Sequence, residues 1–393
     1  MKRIKLFFRF LFKIIKWAFL LILLICIVSV LYNLTLPKKS EVTEHLTDNQ
    51  KAYIAEMMNL QKELGDSIWP GWGRLQTPVI VYNEKYAFLV GYKNPPTGWY
   101  KMPRKELRGT EWEPLKDDQF FGETYYKQRL NDPNITPENF TATVGDKWVV
   151  TMQTKEYAEV AFYNGFRNDL PPVIKSIFPY KLFWNMIMGN AEDYIVGLAH
   201  EAFHAFQGTY AWEKLKTGED VTYLSDQYPW FEEANALGWV QEIDLLMKAY
   251  EADGVAETRE FAKQFVEIRH LRRAKANLTE EQIGFEQKRE WLEGLAKYAE
   301  LTIGVKAQNS GKYKPLHKII ELKEFKDYKK RDKHFKQQVY ETPRTANRVG
   351  DSRFYYVGML QAVILDRIMP SWKQEAFGED IYLDDLLAKA ATL

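Results

Sequence analysis

The sequence predicts an α+β fold that follows an N-terminal transmembrane helix. Three patterns indicate it: an apolar run without charges at residues 17–36, short runs of β-branched and aromatic residues after residue 77, and apolar residues spaced three and four apart from residue 191 onwards. Such runs are typical of a membrane span, of strands and of amphipathic helices, respectively. We therefore expect a small mixed β-sheet followed by a mainly helical half. The predicted segments are a basic segment (1–16), a membrane anchor (17–36), a linker with an amphipathic helix (37–76), a β-rich half (77–190) and a helical half (191–393).

The N-terminal segment has the composition of a membrane anchor. Residues 1–16 contain six Lys and Arg and no acid, and the twenty residues that follow span a bilayer core of about 30 Å at about 1.5 Å each. The basic excess predicts a cytoplasmic N-terminus and an extracytoplasmic main body, because basic flanks stay on the cytoplasmic side. A cleaved signal peptide, or a lipoprotein signal ending at Cys26, is the alternative.

Cysteine content and charge narrow the class of protein. Cys26 is the only cysteine and lies in the apolar run, so the outer part has no disulfide and depends on a large core. This is most usual for a bacterial envelope protein. Eight of the 54 Lys and Arg precede residue 40, where no acid occurs, while the chain has 53 Asp and Glu. The remainder is therefore acidic, which does not suit a nucleic-acid binder.

Individual elements follow from local patterns. Residues 47–64 form a predicted amphipathic helix, and strands are predicted at 79–82 and 86–92 around an Asn83-Glu-Lys85 turn, with another at 148–152. In the second half, helical periodicity predicts long helices near 191–213, 229–251, 254–276, 279–303 and 351–369.

The strongest chemical signal is the sequence His200-Glu-Ala-Phe-His204, which lies inside an apolar stretch at 195–206. Two His four residues apart share one helical face, so both imidazoles can reach a single Zn²⁺. Glu201 between them points towards a water that the metal activates, which is the arrangement of a zinc hydrolase. A partly buried helix with two ordinary His is the alternative.

A catalytic zinc needs a third protein ligand. Residues 291–300, Trp-Leu-Glu-Gly-Leu-Ala-Lys-Tyr-Ala-Glu, resemble the Glu-Gly-x-Ala-x-Tyr segment of gluzincin metallopeptidases. This resemblance implies that Glu293 is the third ligand and that Gly294 lets its helix approach the His helix closely. The alternatives are that Glu293 only pairs with Lys297 on a helix surface, or that Glu233 supplies the ligand.

The gluzincin resemblance also implies a fold and an activity. The helical half is expected to be zincin-like, with Zn²⁺ as the cofactor, a peptide or protein as the substrate and Glu201 as the general base. Tyr355 or Tyr356 is the candidate donor of a hydrogen bond to the oxyanion. By analogy with gluzincins, residues 147–154 are the candidate edge strand that pairs with an extended substrate.

We therefore predict a membrane-anchored, extracytoplasmic zinc metallopeptidase. Two other functions remain open at this point: a zinc amide hydrolase that acts on cell-wall material, and a non-catalytic anchored binding or assembly factor that retains the zinc fold. Glu201 argues against the non-catalytic factor, because holding a metal does not require a base.

Overall fold

The computed structural model describes residues 2–103, 106–132, 135–138 and 141–393, and it begins with one long apolar helix. This helix, α1, spans Lys2–Asn33. Its part Phe10–Asn33 is long and apolar enough to cross a membrane, a property that anchors and signal sequences share. The predicted apolar segment is thus helical as far as Asn33.

The predicted amphipathic helix is confirmed as α2, Asp48–Leu64. Thr47 and Gln50 form a capping box: the Gln50 N–H donates to the Thr47 hydroxyl at 3.3 Å, and the Thr47 N–H donates to the Gln50 side chain at 3.0 Å. Such reciprocal bonds satisfy amide groups that a helix start leaves without partners. Ile54, Met57 and Leu60 form the buried face of α2.

Eight short strands form one mixed sheet, which confirms the expected α+β class. The order is β4-β3-β7-β8-β1-β2-β6-β5; β1 and β8 run parallel, and all other neighbours are antiparallel. Asn83 turns the chain between β1 and β2, because its side-chain oxygen accepts from the N–H groups of Lys85 and Tyr86. The strands are β1 (Val79–Tyr82), β2 (Tyr86–Val90), β3 (Trp99–Lys101), β4 (Glu106–Arg108), β5 (Glu113–Pro114), β6 (Tyr126–Arg129), β7 (Ala142–Val144) and β8 (Lys147–Gln153).

Residues 147–154 are not an edge strand along their whole length, contrary to what the sequence leads us to expect. β8 has β7 on one side and β1 on the other in the sheet order. Its first residues, 147–149, pair with β7, and residues 150–153 pair with β1. The error arises because the sequence shows where a strand lies along the chain but not which strands lie beside it.

The rest of the chain is helical. The sequence does not predict α3, α4 and α5, which occupy the end of the segment expected to be β-rich, nor does it predict α7, α12, α13 and α15. The five long helices expected in the second half are present, and the range predicted at 279–303 is divided by a π-helical turn and continues to Asn309. The helices are α3 (Lys155–Asp169), α4 (Pro172–Ile177), α5 (Tyr180–Met188), α6 (Ala191–Tyr210), α7 (Trp212–Asp220), α8 (Glu233–Glu251), α9 (Val255–Lys275), α10 (Glu280–Arg289), α11 (Leu295–Asn309), α12 (His317–Ile320), α13 (Arg331–Thr345), α14 (Ser352–Ile368) and α15 (Leu383–Ala391).

Helix α6 lies between β8 and α11 and runs along the sheet. Gly208 lets it come close: a Cβ at this position would lie 2.4 Å from the Trp148 ring of β8. At the other end of α6, the Tyr194 hydroxyl donates to the Gln153 carbonyl at 2.7 Å. These contacts fix the rotation of α6 about its axis and thereby the direction of its polar face.

Candidate metal centre

Helix α6 presents His200 and His204 side by side. It begins after Asn190, which forms a capping box with Asp193. Both imidazoles are buried, and their Nε2 atoms lie 3.2 Å apart. The four-residue spacing thus produces the pair on one face that the sequence predicts.

Glu293 completes a group of three. Its Oε2 lies 3.4 Å from His204 Nε2 and 3.7 Å from His200 Nε2. In a tetrahedral zinc site with metal–ligand distances of about 2.0–2.1 Å, ligand atoms lie about 3.3 Å apart. The three atoms therefore have the spacing of ligands around one ion. Among the described residues, His200, His204 and Glu293 are the His, Cys, Asp or Glu side chains whose ligand atoms lie close enough together to hold one metal ion.

Glu293 reaches the His pair from a π-helical turn, Glu290–Gly294, that joins α10 to α11. Such turns are rare and are frequently found at functional sites. The resemblance implies that Gly294 in this turn allows a close approach to the His helix. The atoms nearest to a Cβ on Gly294 belong instead to α14: such a Cβ would lie 2.4 Å from the Gly358 Cα.

Two further side chains orient the imidazoles. The Gln207 amide nitrogen donates to the carbonyls of Trp291 and Leu292, so its oxygen accepts from His204 Nδ1 at 2.9 Å. The Glu300 carboxylate accepts from His200 Nδ1 at 3.1 Å. Partners of this kind are usual behind metal-binding His, because they fix the ring and its tautomer.

Each imidazole donates a hydrogen bond from Nδ1, so in the neutral ring its Nε2 carries no proton and is an acceptor. The three atoms that face one another, the two Nε2 atoms and Glu293 Oε2, are therefore all acceptors. Glu293 Oε2 is buried and has no hydrogen-bond partner, whereas Arg289 donates to the other oxygen, Oε1, at 2.7 Å. Three acceptors at this spacing repel one another unless a proton or a metal cation lies between them. The donor set of two imidazoles and one carboxylate fits Zn²⁺.

The electrostatics of the centre also favour a cation. Burial alone would raise the pKa of Glu293, but Arg289 and the two His hold it well below its usual value. Burial alone would lower the pKa of His200, but Glu293 and Glu300 raise it to about 10. The centre thus holds two ionised carboxylates, because the pKa of Glu300 is also lowered, to about 2, by Lys297 and His200 against the effect of burial.

Glu201 and Tyr355 lie on the accessible side of the centre. Both side chains are half-buried, whereas the three candidate ligands are buried. The Tyr355 ring stacks on the His200 ring at 5.7 Å between centroids and 9° between planes. Burial and the Glu293 carboxylate raise the pKa of Tyr355 well above its usual value, so its hydroxyl remains a donor.

The other candidates lie elsewhere. Tyr356 donates its hydroxyl to Gln338 at 2.8 Å and does not contact the three candidate ligands. Glu233 is exposed at the start of α8, outside the group that could hold a metal. Lys297 pairs with Glu300 at 2.7 Å, so Glu293 is not its surface partner. Of the two Glu candidates, the structure brings only Glu293 to the His pair.

Sequence reasoning missed the residues that support the ligands. Gln207, Glu300 and Arg289 each contact a candidate ligand. A signal for two of them was present in the helical periodicity: Gln207 is three residues past His204, and Glu300 is two turns past Glu293. No local pattern indicates Asp351, which accepts from Arg289 at 2.8 Å across 62 residues.

Comparisons with protein-family models, with curated proteins and with solved structures found no match to this chain. The gluzincin resemblance therefore rests on two short motifs. Function has to be inferred from the residues of the site.

Proposed function

We propose that the protein is a zinc-dependent hydrolase of amide bonds, with a peptide or protein as its first candidate substrate. One observation carries this proposal: two imidazole Nε2 atoms and one unpartnered carboxylate oxygen converge within 3.2–3.7 Å. His200, His204 and Glu293 would hold the ion and leave a position free, as catalytic zinc sites do.

The residues of the chain have distinct roles in this proposal. Bound zinc would supply Lewis acidity, which polarises a carbonyl and makes a water more acidic. Glu201 takes the proton of the attacking water and passes it to the leaving nitrogen. The Tyr355 hydroxyl donates a hydrogen bond to the oxygen on which negative charge develops. Gln207 and Glu300 keep the imidazoles oriented throughout.

Glu201, which follows the candidate ligand His200, favours zinc over iron as the bound metal. Two His and one carboxylate also suit Fe²⁺ in oxygenases. Burial raises the pKa of Glu201, and the nearby His200 and His204 only partly oppose this shift, so the carboxyl group lies beside the His pair. A carboxylate at this point is useful as a base in hydrolysis.

A non-peptide amide, such as one in cell-wall material, is the second candidate substrate. The observation that favours it is the position of β8 inside the sheet. Neighbouring strands already pair with β8 at residues 147–149 and at residues 150–153, so fewer of its backbone groups are left for an extended peptide than along a free edge. Peptide binding would then depend more on side-chain contacts.

Helix α1 is the proposed anchor, with the N-terminus in the cytoplasm and the catalytic part outside. The apolar part Phe10–Asn33 and the six basic residues before residue 17 support it. A reporter fused after Leu393 is expected to be cleaved by protease added to intact cells. Protection of the reporter until lysis would contradict this topology.

The full chain, purified in detergent, provides the test of the hydrolase proposal. We expect one zinc per chain by elemental analysis and hydrolysis of either a peptide library or cell-wall fragments. Glu201→Gln should keep the zinc and lose turnover by about 10²–10⁴-fold, because the amide cannot act as a base. The proposal is contradicted if a His200→Ala, His204→Ala double variant still binds one zinc per chain. It is also contradicted if the Glu201→Gln variant is as active as the wild type.

A further inference from the structure

Helices α4 and α5 together expose many apolar side chains. Six of their aliphatic and aromatic side chains are 38–75% exposed. We call them the α4–α5 apolar face; they are Val173, Ile174, Leu182, Phe183, Met186 and Ile187. Contiguous exposed apolar residues are unusual in soluble proteins and generally mark a contact with a partner or a membrane.

Helix α5 is apolar on two opposite faces. Tyr180 and Trp184, four residues apart, are buried in a small aromatic cluster with Tyr163 and Leu36. Leu182 and Met186, also four apart, lie on the outer face. The inner cluster holds α5 on the protein, so the outer face is a fixed surface and not a frayed segment.

The C-terminal end of α1 is attached beside this face. The Asn33 side-chain nitrogen donates to the carbonyls of Ser176 at 2.9 Å and Phe178 at 2.8 Å, at the end of α4. The linker after α1 is held by α3, because Asn164 donates to the Lys38 carbonyl and Arg167 to the Pro37 carbonyl. The position of α1 therefore determines where α4 and α5 lie.

The contact occurs within the last turns of the apolar part of α1. Helix α4 packs on α1. Within residues 10–33, the buried or half-buried side chains of α1 are Cys26, Ser29, Val30 and Asn33, which share one helical face. From Cys26 to Asn33 the helix rises about 10 Å. Since the apolar part ends at Asn33, α4 lies alongside the segment that would cross the outer leaflet.

We propose that the α4–α5 apolar face docks into the outer leaflet of the same bilayer that α1 spans. Interfacial helices bury their apolar face about 5–10 Å deep, which matches the level of the contact with α1. Lipid is favoured as the occupant because any other partner would have to displace the lipid that surrounds the end of α1. The inference rests on the proposed anchoring by α1 and not on the metal centre.

Charge around α4 and α5 agrees with a lipid surface. Residues 170–190 contain Lys175 and Lys181 and no acid, and Lys38 and Lys39 follow the anchor. Lys181 pairs with Glu159 of α3, so Lys175, Lys38 and Lys39 carry this argument. Basic residues beside an apolar face add electrostatic attraction to anionic headgroups. Helix α6 begins at Ala191, shortly after α5 ends at Met188. Docking would thus hold the start of the helix that carries His200 and His204 at the lipid surface.

A fluorescence experiment on the full chain in vesicles tests the docking. In a Cys26→Ala background, an environment-sensitive dye is attached at Met186→Cys, on the α4–α5 apolar face. Phe19→Cys in α1 is the positive control, and Leu271→Cys is the negative control, because it is similarly exposed but lies on α9, which packs on α8 and α15. Vesicles of phosphatidylethanolamine and phosphatidylglycerol carry nitroxide quenchers on their acyl chains.

We expect the dye at Met186→Cys to lose emission nearly as strongly as the dye at Phe19→Cys, while the dye at Leu271→Cys is unaffected. Quenching at Phe19→Cys without quenching at Met186→Cys overturns the docking and leaves the anchoring intact. Absence of quenching at both positions overturns both. A blue shift at Met186→Cys that increases with the protein-to-lipid ratio, without lipid quenching, indicates a second copy of the chain and also overturns the proposal.

A second variant checks that the apolar face itself is responsible. Leu182→Glu combined with Ile187→Glu adds charge at two exposed positions, where the fold should tolerate it. Quenching of a dye at Val173→Cys should then fall towards the level of the Leu271→Cys control. Unchanged quenching in this variant would mean that proximity to α1, and not the apolar face, brings the dye to the lipid.

Discussion

Gly294 and Gly358 touch backbone to backbone, although 63 residues lie between them. A Cβ on Gly358 would lie 2.3 Å from the Glu290 carbonyl oxygen, and one on Gly294 would lie 2.4 Å from the Gly358 Cα. This contact joins the π-helical turn that carries Glu293 to α14, which carries Tyr355. One glycine pair therefore positions a candidate ligand and a candidate oxyanion donor together.

The first prediction concerns this contact. Gly358→Ala should destabilise the protein by about 1–3 kcal/mol, because the added methyl group forces the two helices apart. It should also weaken zinc binding, since the turn that holds Glu293 must shift. Gly284→Ala in α10 is the matched control: its Cβ would meet only the end of the flexible Lys288 side chain at 3.9 Å. Chemical unfolding and zinc titration of both variants measure the effects, and equal stability of the two would contradict the prediction.

The second prediction concerns the ligands. Glu293→Ala should weaken zinc binding by more than the roughly 10–100-fold typical of residues behind the ligands, because it removes a direct ligand. The loss of zinc affinity caused by Glu300→Gln should fall within that range, and Glu233→Ala should leave the zinc affinity unchanged. Competition titrations with a chelator rank the three variants. A larger loss for Glu233→Ala than for Glu293→Ala would transfer the ligand role.

The third prediction separates the two tyrosines. Tyr355→Phe should lower kcat by about 10²–10³-fold with little change in zinc content, because loss of an oxyanion donor acts on the transition state. Tyr356→Phe loses only the bond to Gln338, so we expect a cost of about 1 kcal/mol or less in stability and normal kcat. Steady-state kinetics on both variants give the comparison, and equal kcat values would remove Tyr355 from the proposed mechanism.

The fourth prediction concerns acid stability. Burial acts to raise the pKa of Glu286, but Arg272 and Arg273 hold it well below its usual value. A depressed folded-state pKa means that this stabilisation is present above the unfolded pKa of about 4.3 and is lost as the pH falls below it. Glu286→Gln should cost about 3–5 kcal/mol at neutral pH, because it breaks buried ion pairs. Arg272 then keeps only Glu242 and Arg273 keeps only Asp384 as a carboxylate partner.

Chemical unfolding at several pH values checks the sign. The wild type should lose stability between about pH 5 and pH 3 more steeply than Glu286→Gln, since the variant no longer binds that proton. Glu267→Gln on the exposed side of α9 makes the same change in formal charge and should follow the wild type. Parallel curves for the wild type and Glu286→Gln would show that Glu286 is not the group responsible.

The sequence determined the features that depend on local periodicity. The α2 helix, the β1–β2 hairpin around Asn83 and the five long helices expected after residue 191 lie close to where the sequence predicts them. The pairing of His200 with His204 follows in the same way, because four residues make about one helical turn and nothing distant is needed.

Only the tertiary structure decided the features that depend on which elements meet. It placed Glu293 at the His pair and left Glu233 exposed, although both carboxylates follow a similar local pattern. It placed β8 between β7 and β1 in the sheet order and brought Gly294 against Gly358 of α14. Local sequence cannot encode these choices, because each depends on side chains far apart in the chain that become neighbours only when the core packs.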